Sequence, residues 1–260
     1  MNIWDMFSLK GKAAVVTGGS GMYGRQIVLA LAQAGARVYT ASRSSKTNEK
    51  YASELRADGL DVAAATVDQG DEKSILNFSQ YVLAKEKKID ILVNNAVARV
   101  TKDGWHCSLD DFSESMRINA TGVFAMSRAF GEHMAEGGGG SIINIGSYMG
   151  TLGPDYWLYD GTGVTGGAPD YFFHKGGMVT LTRYIASYYG PKNIRCNVLC
   201  LGGLYSQQDE RFVKRYSERT FLKRMANDTD IMGAVVYLAS DASCYLTGAI
   251  IPIDGGYSAK

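Results

Sequence analysis

Short apolar runs alternate with amphipathic stretches along most of the chain. Ala13 to Thr17 (A-A-V-V-T) is an uninterrupted apolar run between Lys12 and Gly18, the pattern of a strand buried on both faces. Arg37 to Ala41, Val62 to Val67, Asp90 to Val93 and Ser141 to Ile145 repeat it. Between these runs the apolar positions fall at helical spacing, over Arg25 to Ala34 with Gly35 as C-cap, over Thr47 to Asp58, and from Asp71 or Ser74 to about Lys85. Leu109 to Ala135 forms one long helical pattern closed by the glycines at 137–140, and a further helix runs to Tyr189. Cys196 and Cys200 fall in another strand, on one face, and the apolar segment Ala249 to Gly256 completes the sheet. The alternation predicts an α/β fold: a doubly wound parallel sheet with helices on both faces, as one domain over residues 1–260. Right-handed crossovers then bring the carboxyl ends of the strands to one edge, where ligands bind. Ser42, Asp68 and Asn95 fall on that edge.

Chemistry enters first at the turn after the first strand, G-G-S-G-M-Y-G at 18–24. Between a strand and a helix, glycines let the backbone approach a pyrophosphate, and the helix N-terminus offers N–H groups and a positive dipole. After the second strand, where an acid would accept ribose hydroxyls, the chain has Ser42 and Arg43 in S-R-S-S-K. Hydroxyl and guanidinium suit a 2′-phosphate, so NADP(H) is favoured and NAD(H) stays open. The alternative is that Arg43 and Lys46 are solvated loop charges.

Tyr171 and Lys175 lie one helical turn apart. A cation beside a phenol favours the phenolate, which makes a proton donor and acceptor usable near neutral pH. Ser147, at the end of its strand, offers a hydroxyl to the same substrate oxygen. Asn119 sits in the interior of a helical pattern, where a better helix former is expected unless the amide has a task. With 16 Tyr in the chain the pair means little alone; the surrounding motifs give it weight.

Composition narrows the picture without redirecting it. The chain has 260 residues with 27 Lys and Arg against 26 Asp and Glu, so no charge excess points to nucleic acid or an anionic membrane. Cys107, Cys196, Cys200 and Cys244 are scattered, and three histidines (His106, His133, His174) make no metal-like cluster, so no metal is expected. No apolar run of about 18 residues occurs and the amino end lacks a signal-peptide pattern, so a cytoplasmic setting is the expectation.

These motifs stand in the order of one family. The set Thr17 to Gly24, Asn94-Asn95-Ala96, Asn119, Ser147, Tyr171-x-x-x-Lys175 and Ile253-Asp254-Gly255-Gly256 resembles the short-chain dehydrogenase/reductase family from about Leu9 to Tyr257. The resemblance implies a single Rossmann-type domain with about seven parallel strands, a homodimer or homotetramer, and a reversible hydride transfer between a secondary alcohol and a ketone. It implies that Tyr171 is the general acid/base, Ser147 orients the substrate oxygen, Lys175 lowers the Tyr pKa and holds the nicotinamide ribose, and Asn119 completes a proton relay through water. The cofactor would lie along Gly18, Ser20, Gly21, Met22 and Gly24, with Asp68, Gln69, Asn95 and Ala96 towards adenosine. Gly202, Leu204 and Ser206 would clamp the carboxamide.

The chain departs from the family pattern at three places. Met22 stands where the common turn has glycine, and Leu201 where it has proline. Tyr171 comes 24 positions after Ser147, which is long for the family. The added loop at 151–170, with Tyr159-Asp160-Gly161-Thr162, is similar to one in gluconate 5-dehydrogenase-like and flagellin-sugar-modification members. With the segment at 203–226, read as a mobile helical lid, it forms the expected substrate side. Trp157, Tyr159, Asp160, Tyr205 and Gln208, joined by Ser147 and Tyr171, are the expected substrate contacts. Gln207 and Arg211 could add to them, with Trp105 and His106 on the rim. A steroid or fatty-acyl pocket would show more Leu, Phe and Met, so a sugar, sugar acid or other polyhydroxylated substrate is expected. The alternative is that these polar residues face solvent or a neighbouring subunit. His174 points off the catalytic face and is expected to serve packing or an interface. Two other functions stay open: a silent dinucleotide-sensing scaffold, and a sugar-nucleotide-modifying enzyme, against which the 85 residues after Lys175 argue.

Overall fold

The computed structural model describes residues 2–259. Seven parallel strands form one sheet in the order β3-β2-β1-β4-β5-β6-β7: β1 Ala13–Thr17, β2 Arg37–Ser42, β3 Val62–Thr66, β4 Ile91–Asn94, β5 Gly140–Ser147, β6 Ile194–Leu201 and β7 Ile250–Ile253. The order reverses between β2 and β4, on either side of β1, and this opens a crevice at the carboxyl edge.

Period-2 alternation sorts the strand side chains between two cores. Ala14, Val16, Val38, Ile91 and Val93 pack on one face against α1 (Met22–Gln33), α2 (Ser45–Ala57) and α8 (Met232–Ala239), through Ile27, Leu31, Leu55 and Leu238. Val15, Tyr39, Leu92 and Ile142 pack on the other against α3 (Glu72–Leu83), α5 (Gly122–Glu136) and α6 (Pro169–Tyr189), through Phe78, Phe130 and Ile185. Cys196 and Cys200 are buried on β6 as expected of small core residues.

The expected single helix from Leu109 to Ala135 is interrupted. α4 (Leu109–Met116) passes into a π-turn at Arg117–Thr121 before α5 resumes. The turn adds a residue without disturbing the apolar spacing, and such bulges often mark functional sites. Asn119 sits inside it, buried. α7 (Glu210–Arg219) supplies the helix expected within 203–226. Among the described residues no helix is long and apolar enough to cross a membrane.

Candidate active site

The crevice at the carboxyl edge is a cavity of about 700 Å³, within the usual range for a ligand site. Gly18, Ser20, Gly21, Met22 and Gly24 form one wall. Gly18 has φ +67°, a region closed to most side chains, and a Cβ on it would lie 2.9 Å from the Ala96 Cα. A Cβ on Gly24 would lie 2.1 Å from the Gly18 carbonyl oxygen. The Asn95 amide donates to the carbonyls of Thr17 (2.9 Å) and Gly18 (3.0 Å) and so ties the turn to the end of β4. α1 begins at Gly21 with no side-chain cap, which leaves its first-turn N–H groups free for an anion. These features fit a dinucleotide pyrophosphate. Gly24→Ala should therefore push the turn apart. We expect at least a tenfold loss of cofactor affinity, read by fluorescence titration, and a lower melting temperature; unchanged binding would refute the packing argument.

Ser42, Arg43, Asp68, Gln69 and Ala96 also line the cavity. The Asp68 carboxylate accepts from the Gly70 N–H at 2.9 Å. Gln69 donates to the Ile118 carbonyl at 3.0 Å, while its own buried carbonyl oxygen has no protein partner. Gly202 and Leu204 line the cavity, but Ser206 does not, and its N–H is bound to Gln208.

At the β5 end, Ser147, Tyr171 and Lys175 share the same wall. The Ser147 hydroxyl, which accepts from the Met149 N–H at 3.2 Å, lies close enough to the Tyr171 hydroxyl to favour its ionised form. Burial is the largest influence on Tyr171 and raises its pKa; the Ser147 hydroxyl and the Arg99 charge work against it. Lys175 is buried, its ammonium donates to the Ile145 carbonyl at 2.5 Å, and it lies 5.7 Å from the Tyr171 ring centroid. Burial pushes its own pKa down to about 8. The cation that offsets the burial of Tyr171 is Arg99, which the sequence reading missed. The available signal was its place three residues past Asn94-Asn95-Ala96, at a strand end on the ligand edge.

Asn119 stands behind the wall. Its amide accepts from the Ala98 N–H and donates to the Ala98 carbonyl, both at 2.8 Å, and donates to Ser115 at 3.0 Å. Ser115 in turn donates to buried Asp170, which also accepts from Thr101 at 2.5 Å. His174 is buried edge-on to the Tyr171 ring, 5.1 Å between centroids, and burial lowers its pKa to about 3, so it is a neutral packing residue.

The structure divides the expected substrate contacts. Tyr159 and Gln208 line the cavity; Trp157, Asp160 and Tyr205 do not. Arg215 donates to the carbonyls of Trp157 (2.8 Å) and Asp160 (2.5 Å), and Arg219 pairs with Asp155 at 2.8 Å. Tyr205 opens on a separate groove beside Met22 and Arg25. Trp105 and His106 form a short turn off the cavity, with Trp105 exposed. Even Gln208 spends its amide on Ser206 and Leu204. From the loop at 151–170, the segment at 203–226 and the end of β5 the cavity is lined by Tyr148, Met149, Tyr159, Val164, Phe212 and Met225 beside Thr165 and Gln208, more aromatic and apolar than the segments' composition implies. Tyr148, Phe212, Tyr216 and Tyr257 pack ring against ring behind it. Among the described residues no group of three or more His, Cys, Asp or Glu could hold a metal.

Comparisons with known proteins agree with this geometry. Residues 20–258 match the family model described as enoyl-(acyl carrier protein) reductase. The chain is 30% identical to galactitol 2-dehydrogenase (L-tagatose-forming) of Cereibacter sphaeroides, over 99% of each protein. It is 32% identical to 2-dehydro-3-deoxy-D-gluconate 5-dehydrogenase of Escherichia coli (strain K12), over 99% of this chain and 100% of that one. A crystal structure of a gluconate 5-dehydrogenase from Burkholderia cenocepacia, in complex with NADP and tartrate, superposes with a TM-score of 0.89 at 27% identity and covers 100% of both chains.

Proposed function

Because the chain belongs to the short-chain dehydrogenase/reductase family and is an NAD(P)-dependent alcohol/ketone oxidoreductase, we propose that it uses NADP(H) to interconvert a secondary alcohol and a ketone on a polyhydroxylated substrate. The observation that carries the reading is the meeting of Ser147, Tyr171 and Lys175 in one cavity with the glycine turn. Arg43 supports the choice of NADP(H): it lines the cavity at the end of β2, where no acid occupies the ribose position.

When bound, the nicotinamide supplies hydride acceptance and donation. The Tyr171 oxygen takes the hydroxyl proton in oxidation and returns it to the developing alkoxide in reduction. Ser147 holds the substrate oxygen beside it. Lys175, fixed by the Ile145 carbonyl, contributes its charge and the remaining N–H groups to the ribose. Asn119 holds the Ala98 segment in place and, as the resemblance implies, completes a proton relay through water. The loop at 151–170 and the segment at 203–226 form the substrate side, where aromatic faces meet the C–H faces of a sugar chain. Polyol and sugar-acid names among the relatives support this class. Exposed Phe173, Tyr184 and Tyr188 on α6 support self-association through that helix.

Direction follows from the raised pKa of Tyr171. Below that pKa the phenol dominates, so reduction should keep its full rate at neutral pH, whereas oxidation should rise as pH climbs towards it. Rate profiles of both directions check this, and an oxidation rate that falls from neutral to alkaline pH in a still-folded enzyme would contradict it. The substrate reading is tested by a panel of polyols, sugar acids and a hydroxysteroid with NADP and NAD, followed by nicotinamide absorbance. Oxidation of a polyol or sugar acid is expected; turnover of the hydroxysteroid alone would overturn the substrate class.

A further inference from the structure

Among the described residues, the charged side chains on the cavity wall are Arg43, Asp68, Arg99 and Lys175. Arg43 and Asp68 stand at the far end, past β2 and β3, and Lys175 is held by Ile145. At the end that carries Tyr171, therefore, no carboxylate faces the cavity, and Arg99 brings a second positive charge. Its guanidinium carbon lies 5.4 Å from the Tyr171 ring centroid. It makes no hydrogen bond or ion pair with any described residue. Arg25, Arg37 and Arg224 each pair with a carboxylate, whereas the exposed Arg183 on α6, far from the cavity, is unpaired like Arg99; what sets Arg99 apart is its place on the cavity wall beside Tyr171.

The segment that carries Arg99 is fixed on both sides. Asn119, buried within the π-turn, takes both the N–H and the carbonyl of Ala98, and Asp170 takes the hydroxyl of Thr101. A guanidinium on a braced backbone, lying over the Tyr171 ring on the cavity wall with its donors free, is a receptor for a planar anion, which it can meet with two parallel hydrogen bonds.

We propose that Arg99 binds a carboxylate of the substrate, so that the enzyme prefers a sugar acid, as hydroxy-acid or keto-acid, over the neutral polyol of the same carbon skeleton. The proposal rests on the polyhydroxylated-substrate reading and deepens it. It also carries an electrostatic corollary. The Arg99 charge favours the Tyr171 phenolate, so its removal should move the oxidation profile to higher pH, an effect that lost packing alone would not produce.

The test compares matched pairs, gluconate with glucitol and galactonate with galactitol, by the ratio of their kcat/KM values. Arg99→Leu should lower the acid-to-polyol ratio at least tenfold and shift the oxidation profile alkaline. Arg99→Lys should restore part of the ratio, since an ammonium keeps the charge but not the two-pronged geometry. Arg99 is exposed, and circular dichroism would confirm that each variant is folded. An unchanged ratio overturns the proposal. A binding arm separates this failure from failure of the broader reading: gluconate is titrated calorimetrically into Tyr171→Phe loaded with NADP, with and without Arg99→Leu. If neither acids nor polyols are oxidised, the broader reading falls. Arg99 is then upheld by gluconate binding that weakens at least tenfold on Arg99→Leu, and refuted by its absence.

Discussion

Tyr171→Phe should lower kcat by about 10²–10⁴-fold, the usual contribution of a positioned acid/base group, while NADP binding stays close to that of the parent. The substitution removes one oxygen and keeps the ring, so the edge-on contact with His174 and the neighbouring Arg99 survive. Only the contact with the Ser147 hydroxyl is lost. Stopped-flow or steady-state measurement of kcat, beside a fluorescence titration of the cofactor, separates the two properties. A variant that turns over near the parent rate would remove Tyr171 from the proton path. One that loses cofactor binding as well would show the ring to be a structural support of the site.

Arg43→Ala should change the ratio of kcat/KM with NADP to that with NAD by about 10²-fold, at the expense of NADP. A guanidinium that meets a phosphomonoester makes charge-assisted hydrogen bonds of roughly twice the strength of neutral ones. Arg43 lies on the cavity wall with Ser42, Ser44 and Thr47, so hydroxyl groups remain to hold a ribose after the charge has gone. Affinity for NAD should therefore change little. An unchanged ratio would mean that Arg43 is solvated in the complex and that the cofactor choice rests elsewhere.

Much of this site was legible in the sequence because its chemistry lies on regular elements. Tyr171 and Lys175 are one helical turn apart on α6, and Ser147 and Asn95 follow apolar runs too short to be anything but buried strands. Periodicity says nothing about strand order or about which side chain meets which. The π-turn at Arg117–Thr121 leaves the apolar spacing of a helix intact and was read as one. The placement of the loop side chains was hidden for a different reason. Trp157 and Asp160 are engaged through their backbone carbonyls, by an arginine 58 and 55 positions away, and no local pattern reports a backbone acceptor. Lys175 is expected to act on Tyr171 from the same helix; burial lowers its own pKa to about 8, which keeps it a cation at neutral pH. Arg99, on an irregular segment that no periodicity marks, adds a second cation beside the same ring.

The clasp between α7 and the long loop has a consequence for the redesign of this enzyme. Arg215 and Arg219 reach across to Trp157, Asp160 and Asp155, and Tyr159 rests on Phe212 with ring centroids 5.5 Å apart. The two segments are distant in the chain but form one interlocking part. A loop transplanted from a relative would arrive without its arginine counterparts and leave them unmatched. The two pieces therefore act as one structural unit, and chimaeras should exchange both together.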